Sequence, residues 1–231
     1  MSKKEKDSSY INRVTKKLPK KCEYAVSLVT DRDRAKVIKQ IEREARGMME
    51  YGDYIKFLKD NVGLDSCIFF SKVTSKNTKH VSLEMHHEPL TLYDIAEVVL
   101  TKFIEEGEEI NTLLIAAEVV EAHYANLVGL VPLSKTCHEM IHNSDKLYVP
   151  LTMVYGNYRE FLEKYDAYIS QPKYEDLYDR LYDKIDRAIE RTENLTPESF
   201  DALVKEFTYI DIEGVEDQEK MPLTDDVTSA A

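Results

Sequence analysis

Four of the six histidines of this 231-residue chain lie in two short segments, Glu84-Met85-His86-His87-Glu88-Pro89 and Lys135-Thr136-Cys137-His138-Glu139-Met140-Ile141-His142. Imidazole has an unperturbed pKa of about 6.5, so near neutral pH it serves equally as a metal ligand and as a proton acceptor. His138 and His142 are four apart, and on a helix both rings point the same way about one turn apart, the spacing that lets two side chains grip one ion. His86 and His87 are neighbours in an alternating, strand-like run, where successive side chains face opposite sides. One of them can face an ion while the other is aimed elsewhere. An isolated His-x-x-x-His is a weak sign of metal. Joined to Glu-x-His-His and preceded by an apolar strand, it predicts a divalent-metal site.

This pattern resembles the HNH, or ββα-metal, nuclease family, and its histidines are most similar to those of the colicin-type DNases. Glu84-Met85-His86-His87 matches the end of the first strand, Gly129 to Leu133 the second strand, and His138 to His142 the helix. The resemblance implies that His86, His138 and His142 hold a single divalent ion and that His87 is the general base, with DNA as the substrate. The middle asparagine of the family pattern, which orients the base, falls here on Gly129, and the nearest asparagine is Asn126. About forty residues separate Pro89 from the second strand, room for two helices that the minimal motif lacks. The helical surroundings resemble proteins of large phage genomes.

Phosphodiester cleavage needs a nucleophile at neutral pH and a Lewis acid for the charge that gathers on the phosphoryl and leaving oxygens. In the resemblance His87 takes the proton and the ion does the rest. Three neutral nitrogens suit zinc, nickel or manganese better than magnesium, which prefers oxygen ligands. Glu84 lies two residues before His86 and on the same strand face. It is placed to steady an imidazole or a phosphate-binding arginine, for which Arg43 and Arg46 are the candidates. His80, expected to end a hairpin turn, and His123, expected on the wall of a helix, are read as structural. Cys137 points about 100° away from His138 on a helix and is read as a small buried residue.

The elements that must position these groups follow from periodicity and turn chemistry. Thr30-Asp31-Arg32-Asp33 predicts a helix start, with Val37, Ile38, Ile41 and Ala45 at helical spacing; Gly47 and Gly52 are expected to interrupt it, and a second helix should stop near Gly63. Cys67 to Val73 and His80 to His86 read as an antiparallel hairpin around a polar turn. Thr91-Leu92-Tyr93-Asp94 forms a capping box that opens a helix ended by Gly107, and Thr112 to Asn126 reads as a second apolar helix; the pair is expected to pack over the sheet. Beyond Gly156 the chain is helical and rich in tyrosine (Tyr158, Tyr165, Tyr168, Tyr174, Tyr178, Tyr182). These rings at helical spacing read first as core or interface, and second as a base-stacking surface. Thr196-Pro197-Glu198 predicts a last helix start.

Composition bounds the rest. The chain is 43% hydrophobic, enough for a core. There is no run of eighteen apolar residues and no signal-peptide pattern, so a cytoplasmic protein is expected, in the host cytoplasm if a phage encodes it, with no membrane partner. Cys22, Cys67 and Cys137 are widely spaced, which fits a reduced compartment. The first 21 residues carry eight Lys or Arg, yet the whole chain has net charge −12, where a DNA-binding protein acting alone usually shows a basic face. Delivery to DNA by a protein partner follows as an expectation. The fold class read from these features is α+β, a small ββα-metal motif embedded in a mostly helical domain. The organisation read is a basic arm over 1–29, one domain over 30–210 (ββα core 67–143 with helical insertion 91–126, helical part 156–208), and an acidic, disordered tail over 211–231. The functional reading is a divalent-metal HNH-type endonuclease with His87 and Glu84 as catalytic residues and His86, His138 and His142 as ligands. The alternative is a non-catalytic nucleic-acid-binding or assembly protein that retains a structural ion; a zinc-stabilised adaptor that binds protein through its tyrosine face is a third.

Overall fold

A computed structural model describes residues 31–74, 82–108, 110–143 and 147–196, together with 198, 199 and 204. The chain partitions into two units, Met1–Glu193 and Asn194–Ala231. In order along the first unit come α1 (Asp31–Gly47), α2 (Met49–Phe57) running into a π-turn over Leu58–Val62, and β1 (Leu83–His87). Then follow α3 (Leu92–Glu105), α4 (Thr112–Tyr124), β2 (Leu130–Ser134), α5 (Lys135–Asn143), α6 (Tyr158–Ile169) and α7 (Glu175–Glu193). Among the described residues the architecture is α+β, mostly helical with one two-stranded antiparallel sheet. The 1–29 arm, the 211–231 tail, the Thr30 cap and His80 lie outside the described residues.

The core is helical because the apolar residues recur at helical spacing. Val37, Ile38, Ile41 and Ala45 of α1 are all buried, against Ile95, Val98 and Val99 of α3 and Ile115, Val119 and Val120 of α4 in one cluster. The α3–α4 pair does not lie over the sheet as expected; α4 runs along α1 and α3, and α3 also packs on α6. Two helices joined by a short loop bury more apolar surface against other helices than a two-stranded sheet can offer. Gly47 ends α1, but Gly52 lies inside α2, whose tertiary packing outweighs a single glycine's weak propensity. The predicted stop near Gly63 is present, with φ of 93° at that residue.

The capping box at Thr91 forms as predicted and does a second job. Thr91 Oγ1 accepts from Asp94 N at 3.2 Å, and the Asp94 carboxylate accepts from Thr91 N at 2.8 Å. Asp94 is fully buried and also receives Arg180 and Lys184 of α7, each at 2.6 Å. Burial alone would raise its pKa, but the hydrogen bonds from Lys184 and Thr91 hold the carboxyl below the usual range. One side chain thus starts α3 and ties it to α7.

The predicted hairpin between Cys67–Val73 and His80–His86 is not the sheet that forms. Residues 66–74 fold into turns closed by Phe70 N to Cys67 O and Val73 N to Phe70 O, with a single bridge between Ser66 and Thr74. Most of the backbone groups that a strand would offer sideways are used within the segment, and Ile68 N donates to Pro132 O of β2 at 3.1 Å rather than to β1. β1 pairs instead with β2, His86 opposite Val131 and His87 opposite Leu130. β2 begins at Leu130, one residue later than expected, and passes directly into α5.

All six singled-out tyrosines pack on the core cluster. Tyr165 donates to Glu118 at 2.7 Å, while Tyr168 and Tyr174 donate to Glu106 and Glu105. They tie α6 and the start of α7 to α3 and α4, the core role that their spacing predicted first. In the second unit Thr196 Oγ1 accepts from Ser199 N at 3.1 Å, the cap predicted there, although Pro197 lies outside the described residues.

Candidate metal centre

The antiparallel pair followed by α5 sorts the histidines by strand face. Glu84 and His86 project from the side of β1 that meets α5, where His138 and His142 stand one turn apart. Ligand atoms of His86, His138 and His142 all lie within 4.8 Å of one another. The ring centroids are 5.1 Å apart for His86–His138, 5.2 Å for His86–His142 and 4.7 Å for His138–His142. His86 is buried, His138 half-buried and His142 exposed, so the cluster opens to solvent on the His142 side.

Hydrogen bonding fixes the chemistry of His138. The Glu84 carboxylate accepts from its Nδ1 at 2.6 Å, so Nδ1 carries the proton and the Nε2 lone pair points at the cluster. His138 Nε2 and His142 Nε2 are 3.1 Å apart. Two nitrogens each about 2.1 Å from a shared ion stand roughly 3.0–3.4 Å apart in octahedral or tetrahedral geometry, so the pair fits one ion. Burial, followed by the neighbouring His86 and His138, holds the His142 pKa below its ordinary value, which favours the neutral, ligating form. The donor set therefore fits a divalent transition metal. Glu84 stands behind His138 as the carboxylate that would orient this ring toward an ion.

His87 faces the other way. It is 6% exposed, and its Nε2 lies 3.0 Å from Nε2 of His123, a residue with no exposure at all. His123 Nδ1 donates to Val119 O at 2.7 Å, so its Nε2 must be the acceptor and His87 Nε2 the donor. His87 is thereby held in one tautomer, with Nδ1 as its remaining acceptor. His123 was expected on a helix wall with a structural role; it is buried between Tyr51 and Tyr54 and holds His87. Nothing in local periodicity pairs residues 87 and 123, because the contact forms only when the last turn of α4 comes beside the end of β1.

The buried pair makes stability depend on pH. Burial lowers the His123 pKa from 6.5 to about 4, and burial followed by His123 and Arg46 lowers that of His87 well below its ordinary value. Both groups stay neutral in the folded state while the unfolded chain takes up protons near pH 6.5, so the unfolded state binds more protons in that window. Stability is complete above pH 6.5 and is lost as pH falls from there toward 4. For His123 alone the loss reaches about 3 kcal/mol at about 1.4 kcal/mol per pKa unit. Denaturant midpoints measured at pH 7, 6 and 5 should fall steadily, with a shallower fall in His123→Phe; a flat profile would overturn this assignment.

Arg46, exposed at the end of α1, acts electrostatically on His142, His87 and His123. Gly129, on which the asparagine of the HNH pattern would fall, admits no side chain: a Cβ there would sit 1.9 Å from Glu88 O and 2.8 Å from Val154 Cγ1. Asn126, the nearest asparagine, takes a positive φ of 60° at the turn after α4. A surface cleft of about 520 Å³ lies away from the histidines, among Arg34, Tyr93, Lys173, Tyr174 and Arg180. Its arginines already pair, Arg34 with Glu97 and Arg180 with Asp94 and Glu97.

Compared with known families, residues 1–216 match the profile of the bacteriophage G278-like virion proteins. The chain belongs to that family. No curated protein and no solved structure matches it. For this virion protein, family membership agrees with the phage association expected from the sequence, and it points to the phage particle rather than to the cytoplasm specifically. Among the described residues no helix is long and apolar enough to cross a membrane.

Proposed function

We propose that this virion protein is a divalent-metal-dependent endonuclease of the HNH type, with a single ion on His86, His138 and His142 and DNA as its substrate. The observation that carries the reading is the convergence of three imidazoles from β1 and α5 within 4.8 Å, open to solvent on one side. Three protein ligands with an open edge are the arrangement of metal sites that work on a substrate, whereas structural sites are closed by four. When bound, the ion supplies a Lewis acid for the charge that develops on the phosphodiester. Glu84 keeps His138 in the ligating tautomer. His87 is the proton acceptor in this reading, its Nδ1 available because His123 takes the hydrogen bond of Nε2, the orienting task that an asparagine at position 129 has no room to perform. Arg46 contributes a positive charge for a phosphate. With a net charge of −12, unaided affinity for DNA is low and falls further with salt, so the particle or a protein partner delivers the site to DNA.

A second reading is a non-catalytic assembly or nucleic-acid-binding protein of the virion that keeps an ion for structure. The enclosure of His87 at 6% exposure favours it. Plasmid nicking by the purified protein with Mn²⁺, Ni²⁺, Zn²⁺ or Mg²⁺, beside an EDTA control and His87→Ala, separates the two. Supercoiled DNA converted to open or linear form only with metal, and not by the variant, supports the nuclease. Folded, metal-loaded protein that leaves the plasmid intact under every metal would replace it with the second reading.

A further inference from the structure

The three-histidine cluster is bordered by a carboxylate that neither the motif nor its geometry so far has used. Glu84, His86 and Glu88 follow one another at every second residue, so all three rise on the same side of β1 and its continuation, toward α5. The two glutamates differ in what they touch. Glu84 is engaged by Nδ1 of His138, the ring nitrogen turned away from the cluster. Glu88 Oε2 lies 3.3 Å from Nε2 of His86, and its charge acts on His142 across the site.

The separation is informative. The 3.3 Å between His86 Nε2 and Glu88 Oε2 and the 3.1 Å between His138 Nε2 and His142 Nε2 both match neighbouring ligands around one ion with bonds of about 2.1 Å. The backbone beneath Glu88 is held firmly, since its N–H donates to Gly129 O at 3.1 Å and extends the β1–β2 ladder by one step. The Glu88 carboxylate stands next to His86 but outside the group of ligand atoms that all lie within 4.8 Å of one another, so it reaches the ion by a change of rotamer, for which its side chain, 23% exposed, has room.

We propose that Glu88 contributes a carboxylate oxygen to the ion, making the centre a three-histidine, one-carboxylate site. This rests on the reading that His86, His138 and His142 hold the ion. It changes what the centre prefers: a hard, anionic oxygen beside three imidazoles admits manganese and iron(II) alongside zinc, and it offsets one of the two positive charges of the ion.

The test uses the full chain, stripped with EDTA and titrated with Zn²⁺ by calorimetry and with Co²⁺ by visible absorption. Glu88→Gln and Glu88→Ala are compared with Glu84→Gln. Outer carboxylates that orient a ligand are worth about 10–100-fold in metal affinity, so loss of a direct ligand should cost about 100-fold or more. Both Glu88 variants should also change the position and intensity of the Co²⁺ bands, which report the coordination sphere, while Glu84→Gln weakens binding with the band pattern retained. Wild-type affinity and an unchanged Co²⁺ spectrum in both Glu88 variants would overturn the assignment of Glu88 and leave the histidine site standing. Failure of the unaltered protein to bind Zn²⁺ or Co²⁺ would remove the histidine site itself, and Glu88 with it.

Discussion

Gly129→Ala is expected to cost more than about 4 kcal/mol of stability, at the extreme end of what single substitutions do. The methyl group would lie 1.9 Å from the backbone oxygen of Glu88 and 2.8 Å from Val154 Cγ1. The first obstacle is main chain, so no rotamer change relieves it. Relief requires β1 to move away from β2 just where Glu88 N donates to Gly129 O, beside the pairing of His87 with Leu130. Such a shift would carry His86 away from His138 and His142, so any folded remnant should bind metal poorly. Thermal melting and soluble yield read the first effect and Zn²⁺ calorimetry the second. A variant that melts near the parent temperature would show that the two strands approach less closely than this. Gly129→Asn, which would place there the asparagine of the HNH pattern that the sequence resembles, should fare no better, because the Cβ alone makes the clash.

The largest functional effect should come from His138→Ala. His138 bridges the site: Nε2 faces His142 and Nδ1 is held by Glu84. Its removal leaves His86 and His142 as the only imidazoles and releases the Glu84 carboxylate. Metal stabilisation of a developing phosphodiester charge is worth several kcal/mol, so metal-dependent nicking should drop by about 10³-fold or more. Glu84→Gln should be milder, about 10–100-fold in metal affinity, because the amide oxygen still accepts from Nδ1 but without the charge. Since His138 is half-buried at the start of a short helix, the His138→Ala protein should keep its fold, seen as an unchanged far-UV spectrum. Equal nicking by His138→Ala and the unaltered protein would place any nuclease activity elsewhere.

Both expectations depend on long-range pairing rather than on the motif as a string. The position of Gly129 illustrates this. As a residue in a pattern it is a missing asparagine; in the fold it is the point where two backbones come too close for any side chain, and the orienting contact to His87 comes from His123, thirty-six residues along the chain.

The sequence by itself determined what is local. Periods of 3.6 and 2 assigned the faces of α1, α3, α4 and β1, the Thr91–Asp94 spacing set the start of α3, and the four-residue step put His138 and His142 on one side of α5. That alternation also separated Glu84 and His86 from His87. Only the tertiary structure decided which strand β1 joins, since segment 67–73 has strand-like residues but folds into turns and directs Ile68 N to Pro132 O of β2, while β2 is brought alongside β1 after two intervening helices. The same packing placed His123 behind His87, bound the buried Asp94 to α7, and brought His138 and His142 over His86. The physical reason is that local rules fix which way a side chain points along its own element. What it meets there depends on how elements far apart in the chain bury their apolar faces together.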